Sequence, residues 1–213
     1  WSSDVCSSDL LTKEIYTASY DDPTPDYDSP DSVKVVAVAH TDPANATSTA
    51  ADSIPVFYNL FVKSEADASR VTKIVQEQFN KLLPVHRPVY VNSIGAELPY
   101  LNETEHETIL LGRYDTAAKY VTLKSLWEYC NKPGHAQKKV VYLQSMGSFK
   151  ATQTKGKLRR FLTAGALSEQ CAAMTGDQCN ICSSRFFPVP HPHTPGNMWL
   201  AKCDYVKRLI DPE

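Results

Sequence analysis

Short apolar runs alternate with amphipathic segments along most of this chain, and the alternation restricts the folds that it can adopt. The apolar runs are rich in Val, Ile, Tyr and Phe and are short enough to be buried strands. The predicted strands are residues 33–39, 56–62, 88–94 and 139–143. The segments that follow the last three of them have the spacing of helices, at residues 65–82, 116–129 and 158–171.

The segment after residue 62 gives the clearest helix prediction. Ser64 is a suitable N-cap, and Glu65 and Asp67 put negative charge in the first turn, where the helix dipole favours it. An apolar stripe at helical spacing follows, and Pro84 ends the helix. The stripe consists of Val71, Ile74, Val75, Gln78, Phe79 and Leu82.

This order of elements predicts β-α-β units, and therefore an α/β fold with a mostly parallel, Rossmann-like sheet flanked by helices. Ligands of such sheets bind beyond the carboxyl ends of the strands. The loop after Leu143 is therefore a candidate site. Gly147 permits a backbone turn whose N–H groups face a ligand, and Ser145 is the second candidate substrate-binding residue of this loop. A plain turn after the strand is the alternative.

Charge and motifs argue against several classes of protein. The formal net charge of -2 does not suit a nucleic-acid binder, and we interpret the basic cluster at residues 155–160 as a solvated helix face. No apolar run of about 18 residues occurs, so the sequence predicts no membrane span. Neither a GxGxxG nor a P-loop pattern is present, so neither a dinucleotide site nor a P-loop is supported.

The first 32 residues differ from the rest of the sequence. Residues 1–10, WSSDVCSSDL, repeat the triplet SSD, and we interpret them as a non-native leader because they resemble translated adapter sequence. Residues 11–32 are rich in Pro and Asp and predict an arm or linker. We expect residues 33–213 to form one domain that is incomplete at its C-terminus, and any anchor to lie outside this fragment.

Four cysteines near the C-terminus are suited to a metal or to disulfides: Cys171, Cys179, Cys182 and Cys203. Residues 179–182 form a C-x2-C pair, which with the neighbouring thiolates, His191 or His193 would supply a tetrahedral zinc site. A second pair at standard spacing is missing, however. Disulfides such as Cys171–Cys179 or Cys182–Cys203, or free thiols, are therefore preferred to zinc.

Two sequons, at Asn45 and Asn102, lie in polar stretches where a glycan would be accessible. Clustered cysteines are typical of compartments that permit disulfides. Together they predict the Golgi or ER lumen, or the extracellular space.

The segment 191–209, HPHTPGNMWLAKCDYVKRL, is the strongest candidate for chemistry or ligand binding. Its prolines stiffen the chain, and Gly196 and Asn197 then allow a tight turn and supply an amide donor and acceptor. Trp199 has a flat ring that suits stacking on a sugar or base. Asp204 begins a short predicted helix, where its carboxylate would act as a base, a metal ligand or a capping charge. The alternative is that Trp199 is a core residue and that Asp204 only caps.

Six segments of the chain together resemble a known family. They are FYNLFV (57–62), VNSIG (91–95), TLKSLWEYC (122–130), VVYLQSMGSF (140–149), LRRFLTAGALSEQC (158–171) and HTPGNMWLAKCDYV (193–206). They look like proteins of algae and other microbial eukaryotes. More distantly, they are similar to bacterial glycosyltransferases of the GT-A type, which use nucleotide sugars. The resemblance extends from about Val33 to the C-terminus.

The bacterial family has a strand ending in Y-x-H-x-K-G and, later, H-F-S-G-N-F-W-W-A before a D-Y-I helix. The second motif is matched here by His193, Gly196, Asn197, Trp199, Ala201, Asp204 and Tyr205. The first motif is not matched, because Gln144 and Met146 stand where the family has His and Lys. A Lys at that position would neutralise a diphosphate, whereas Met cannot.

The resemblance implies a GT-A-like domain that transfers or binds the sugar of a nucleotide-sugar donor, with or without Mn²⁺, with a glycan or protein as acceptor. Asn197 and Trp199 would hold the sugar, and Asp204 or His193 would act as the base or orienting group. The change at Met146 favours a second hypothesis, a noncatalytic carbohydrate- or protein-binding module on the same fold. A structural domain stabilised by zinc or disulfides is the third.

The sequence also contains a D-x-D pair, Asp26 and Asp28, which holds a metal-bound nucleotide diphosphate in many glycosyltransferases. The pair lies in the predicted arm, where no fold would hold the two carboxylates in place, so it receives little weight. No G-x-S-x-G elbow indicates a Ser-His-Asp hydrolase.

Overall fold

The computed structural model describes residues 53–117, 119–175, 179–185, 187, 193–194 and 196–212, and the backbone of residues 5–7. The strands are β1 (Val5–Ser7), β2 (Val56–Val62), β3 (Val89–Gly95), β4 (Thr108–Tyr114), β5 (Lys139–Gln144), β6 (Ile181–Ser183) and β7 (Trp199–Lys202). The helices are α1 (Ala68–Phe79), α2 (Tyr100–Glu103), α3 (Tyr120–Asn131), α4 (Gln153–Ala166), α5 (Glu169–Ala172) and α6 (Cys203–Val206). The predicted arm and the predicted strand at 33–39 lie outside the described residues.

One mixed sheet organises the chain, with strands β6, β7, β5, β2, β3 and β4 side by side in that order. The short β1 extends it in parallel beyond β6. Strands β5, β2, β3 and β4 are parallel to one another, whereas β7 runs antiparallel to both β5 and β6. The α/β prediction of a mostly parallel sheet flanked by helices is confirmed in this form.

The central strands and α1 form where the sequence predicts them. Strand β2 has the predicted bounds, β5 is one residue longer at its C-terminal end, and β3 is shifted by one residue at both ends. The buried residues of α1 belong to the predicted stripe: Val71, Ile74, Val75, Gln78 and Phe79. Ser64 precedes a 3₁₀ turn, Glu65–Asp67, and its hydroxyl donates to the Asp67 carboxylate instead of capping the backbone.

All three predicted helices have the wrong bounds. Within the predicted 65–82 the α-helix is Ala68–Phe79, preceded by the 3₁₀ turn. The helix predicted at 116–129 is Tyr120–Asn131, and the one predicted at 158–171 begins five residues earlier and is interrupted. Thr152 caps the start of α4 by accepting from the Lys155 amide, and Ser168 starts α5 by accepting from the Cys171 amide. The apolar pattern continues through both helices, so it conceals the break that the second cap creates.

The helices cover the two faces of the sheet separately. On one face, called here the α1/α4 face, Tyr58, Leu60 and Leu143 pack with α1 and α4. On the other, called the α3/α6 face, Phe57 and Tyr142 pack with α3 and α6. Among the described residues, no helix combines the length and apolar character needed to cross a membrane.

Candidate functional site

The parallel strands β2 and β5 are neighbours, but the chain continues from them toward opposite edges of the sheet. From β2 the chain passes through α1 to β3, and from β5 it passes through α4 toward β6, on the other side of the sheet. The strand order therefore reverses between β2 and β5. A crevice at the carboxyl ends of two such strands is where open α/β sheets bind ligands.

The loop after β5, residues 145–149, lies at this reversal and is fastened to β2. The Ser145 amide donates to the Asn59 carbonyl at 3.0 Å, and the Phe61 amide donates to Ser145 Oγ at 2.9 Å. Ser145 Oγ is also 3.1 Å from Ser148 Oγ, and both serines are buried. Ser145, a predicted substrate-binding residue, thus uses its hydroxyl to hold the loop against β2.

Two arginines hold the backbone of the same loop from the helices. Arg70 on α1 donates to the carbonyls of Gly147 (2.8 Å) and Ser148 (2.6 Å), and it is paired with Asp67 at 2.6 Å. Its hydrogen bond to that carboxylate, together with the Ser64 hydroxyl, lowers the pKa of Asp67. Arg159 on α4 donates to the Met146 carbonyl at 2.7 Å. Charge-assisted donors on successive carbonyls give the loop one fixed shape.

Gly147 is essential to that shape. Its φ of +90° lies in the region that only glycine adopts without strain. A Cβ atom there would also approach Arg159 Nη1 to 3.2 Å. The prediction that Gly147 forms a backbone turn is therefore matched by the structure, although its carbonyl faces Arg70 and is already hydrogen-bonded.

A cleft of about 220 Å³ opens between α1, this loop and the first turn of α4. Its lining includes the cationic side chains of Arg70, Lys73 and Arg159 and one carboxylate, Glu77. Glu77 is paired with the buried Arg159 at 3.0 Å. Lys73 is exposed, so this side of the cleft presents positive charge to solvent.

The Gly196–Trp199 part of the predicted site packs beside the same loop. Gln144 Nε2 donates to the Gly196 carbonyl at 2.6 Å. Gly196 has a φ of +72°, and a Cβ atom there would collide with Leu162 and Met146. Gln144 and Met146 therefore help to hold this segment in place.

Asn197 and Trp199 are bonded to each other. Asn197 has a φ of 51°, and its Oδ1 accepts from Trp199 Nε1 at 2.9 Å. One face of the Trp199 ring stacks on Tyr142, with 5.6 Å between the ring centroids. The indole N–H and one ring face are therefore engaged within the protein, which limits what Trp199 offers to a ligand. Burial raises the pKa of Tyr142, whose hydroxyl has no hydrogen-bond partner among the described residues.

The two predicted catalytic residues are not brought together. Because β7 is antiparallel to β5, Trp199 pairs with Tyr142, whereas Lys202 pairs with Lys139 at the amino end. Asp204 follows, exposed, with its amide donating to the Ala136 carbonyl. Asp204 and its neighbour Tyr205 therefore lie at the amino edge of the sheet. The length of β7, roughly 10 Å, separates them from the turn at Gly196 and Asn197.

His193 lies on the N-terminal side of the turn at Gly196 and Asn197. It forms an isolated β-bridge with Phe187, and the two rings stack with 5.7 Å between centroids. The Asn197 amide donates to the Thr194 carbonyl, which closes the turn that follows His193. His191, the surrounding prolines and the D-x-D pair Asp26/Asp28 lie outside the described residues.

The cysteines form disulfides, but not the pairs given as examples from the sequence. Cys130 is bonded to Cys203, and Cys171 to Cys182. Cys179 is disulfide-bonded as well. The example pairs 171–179 and 182–203 are wrong because α5 brings Cys171 against β6, while the end of β7 brings Cys203 to α3. No cluster of metal-binding side chains occurs among the described residues.

Sequence reasoning missed the cationic residues of the cleft. Arg70, Lys73 and Glu77 follow the helical spacing of three and four residues, which would have revealed a charged stripe beside the apolar one. Arg159 was assigned to a solvated helix face, yet it is buried and bonded to Met146 and Glu77. The contacts of Arg70 and Arg159 with the loop depend on which helices become neighbours, and local periodicity does not contain that information.

The comparison with known families gives one match. Residues 57–213 match the family described as Domain of unknown function (DUF8361), and the chain belongs to that family. No curated protein and no solved structure matches the chain.

Proposed function

We propose that this member of the DUF8361 family is a GT-A-like domain that binds a nucleotide sugar at the carboxyl edge of its sheet. The observation that carries the proposal is the reversal of strand order between β2 and β5. When these strands are numbered along the chain from β2, the adjacent strands β4, β3, β2 and β5 have the order 3-2-1-4. Sheets that bind dinucleotides share this order, and they bind the ligand where the order reverses.

The charge of the cleft between α1, the loop 145–149 and α4 supports a diphosphate as the bound group. Three cationic side chains and one carboxylate line it. Thr152 and Gly156, at the start of α4, line it as well. The amino end of this 14-residue helix favours a negative charge. About 220 Å³ is less than the roughly 300 Å³ typical of small pockets for whole ligands. The cleft would therefore hold the diphosphate and leave the sugar outside, near the Gly196–Trp199 segment.

Calorimetry on the purified chain tests this proposal directly. UDP-sugars and GDP-sugars are titrated with and without Mn²⁺, and Lys73→Ala is compared with Lys81→Ala, an exposed lysine at the end of α1. Loss of a charged donor to phosphate predicts about tenfold weaker binding for Lys73→Ala, with Lys81→Ala unchanged. Absence of heat with every common donor would overturn the proposal.

The predicted catalytic role of Asp204 has its own test. Because Asp204 lies at the amino edge, Asp204→Asn is expected to leave donor binding and any turnover unchanged. A loss of turnover in Asp204→Asn, with donor affinity retained, would contradict a reaction centre confined to the carboxyl edge.

A second candidate, binding without transfer, is favoured by Gln144 and Met146. The Gln144 amide is bonded to Gly196, and the Met146 side chain packs against the core, so neither position supplies a cation to a leaving diphosphate. This candidate predicts that nucleotide sugar or glycan binds while no free nucleoside diphosphate is released. A coupled assay for released UDP or GDP distinguishes the two candidates.

We also propose that the protein resides in an oxidising compartment of the secretory pathway or outside the cell. All five cysteines whose side chains the structure describes are disulfide-bonded, which is typical of such compartments. Asn102 is exposed at the end of α2, where a glycan would fit. Secretion from a eukaryotic host should give a glycosidase-sensitive mass shift that Asn102→Gln reduces and Thr104→Ser retains.

A further inference from the structure

We propose that Phe149 is the platform on which the base of a nucleoside diphosphate stacks. The inference rests on the proposed nucleotide-sugar site and deepens it by assigning the base to one side chain. Among the described Phe, Tyr and Trp residues only two are exposed, Phe149 at 53% and Tyr120 at 41%. Phe149 ends the loop that lies at the reversal between β2 and β5.

The Phe149 ring is held in place although it is exposed. Phe61, at the carboxyl end of β2, meets it edge-on with 5.6 Å between centroids and 63° between planes. The preceding carbonyl, that of Ser148, accepts from Arg70, so the backbone at the ring is fixed as well. A ring that is already ordered loses little conformational freedom when a ligand stacks on it. An exposed phenylalanine without such support would more simply be a surface residue.

One cation lies close to this ring. Lys63 Nζ lies 5.7 Å from the Phe149 centroid, and Lys63 is itself exposed. On the other side of the same loop, Gly147 and Thr152 line the cleft that contains Arg70 and Lys73. An aromatic ring flanked by cations suits a ligand that is both aromatic and anionic.

Three ligand classes use this arrangement to different extents. A neutral sugar would use the ring but not the positive charge of Lys63 and Lys73. Inorganic pyrophosphate would use the cations and leave the ring uncovered. A nucleoside diphosphate uses both, since its base stacks and its phosphates carry the charge. The arrangement therefore favours the nucleoside diphosphate part of the donor.

The test compares two probes on three proteins. UDP and inorganic pyrophosphate are titrated calorimetrically into the wild-type chain, Phe149→Ala and the control Tyr205→Ala, whose ring lies at the amino edge. Stacking on one aromatic side chain predicts about tenfold weaker UDP binding by Phe149→Ala, with pyrophosphate binding unchanged. Phe149→Trp should restore UDP affinity, and Tyr205→Ala should bind both probes like the wild type.

The outcomes separate this inference from the proposal on which it rests. If the wild type binds both probes and Phe149→Ala loses neither, or loses both equally, Phe149 is not the base platform and the diphosphate site stands. If the wild type binds neither probe, the proposed function fails and the inference fails with it. Thermal melts of the variants show whether each is folded.

Discussion

The two faces of the sheet are covered by different means. On the α1/α4 face two helices of 12 and 14 residues bury a mainly aliphatic core, with one polar network in which Gln78 joins Tyr58 to Thr163. On the α3/α6 face, α3 is accompanied by a helix of only four residues, and the Cys130–Cys203 disulfide links the two. There the sheet also buries the neighbouring amides of Asn59 and Asn92.

This difference bears on the proposed binding site. The two long helices on the α1/α4 face supply the charged side chains that line the cleft at the carboxyl edge: Arg70, Lys73 and Glu77 from α1, and Arg159 from α4. On the α3/α6 face these polar side chains form hydrogen bonds within the protein: Thr122 donates to Asn59, and Asn92 donates to Ser125. We infer that the first face carries the phosphate contacts. The second is stabilised by cross-links and internal hydrogen bonds and borders the proposed base platform, because Phe61, which contacts Phe149, lies on the same side of β2 as Phe57.

The largest predicted losses of stability follow from removing one disulfide on each face. Cys130–Cys203 closes 73 residues and Cys171–Cys182 closes 11. Loop-closure entropy predicts a loss of about 4 kcal/mol for the first and about 3 kcal/mol for the second. Urea unfolding of the two double-alanine variants measures both values. A larger loss from the short loop would show that packing around Cys171, rather than chain entropy, dominates.

Acidification is expected to weaken the α1/α4 side through His86, in the loop between α1 and β3. Burial lowers the pKa of His86 from 6.5 to about 4, and its Nε2 is buried without a partner among the described residues. The folded state therefore disfavours the charged form. Stability is fully present above pH 6.5 and falls as the pH drops toward 4, by about 3 kcal/mol in total.

His86→Asn isolates this contribution. The Asn side-chain oxygen replaces Nδ1, which accepts from the Leu83 amide, but it does not titrate. Urea unfolding between pH 7 and pH 4 should give a flatter profile for the variant, with the two proteins most alike at neutral pH. An unchanged slope would assign the acid sensitivity to other groups.

The close contact of α4 with the chain after β6 gives the next effect. A Cβ atom on Gly165 would lie 2.6 Å from the Ser184 amide nitrogen, so Gly165→Ala should destabilise by about 2 kcal/mol. Gly156→Ala in the same helix is the matched control. Its Cβ would meet nothing nearer than 3.7 Å, and improved helix propensity should stabilise by roughly 0.5–1 kcal/mol. Opposite signs in thermal melts would confirm the close approach.

The smallest effect tests whether the faces are independent. Thr122→Val removes the hydrogen bond to Asn59, and Thr163→Val removes the one from Gln78. Each should cost about 1 kcal/mol. Because the two threonines lie on opposite faces, the double variant should equal the sum within about 0.5 kcal/mol. Marked non-additivity in urea unfolding would show that the sheet couples the faces.

The sequence predicted the parts of this fold that depend on local pattern. Strand β2, the stripe of α1 and the alternation into β5 are visible because side-chain burial follows a period set by the backbone. Strands β6 and β7 were missed, since three and four residues are too few to display a period. The seven-residue edge strand β4 was missed as well, because it has no fully buried residue and so no apolar period. Ser145, Gly147 and Gly196 were assigned correctly to one neighbourhood, whereas Asp204 was grouped with them only because it is close in sequence.

What the sequence by itself determined is thus the α/β class, the central elements and the loop after β5, because each follows from residues within one or two turns of one another. Tertiary structure alone decided the antiparallel direction of β7, which separates Asp204 from Gly196, and the disulfide pairing. It also decided that Arg70 and Arg159 meet one loop from two helices. Such contacts join residues far apart in the chain, and their formation depends on packing that no local pattern encodes.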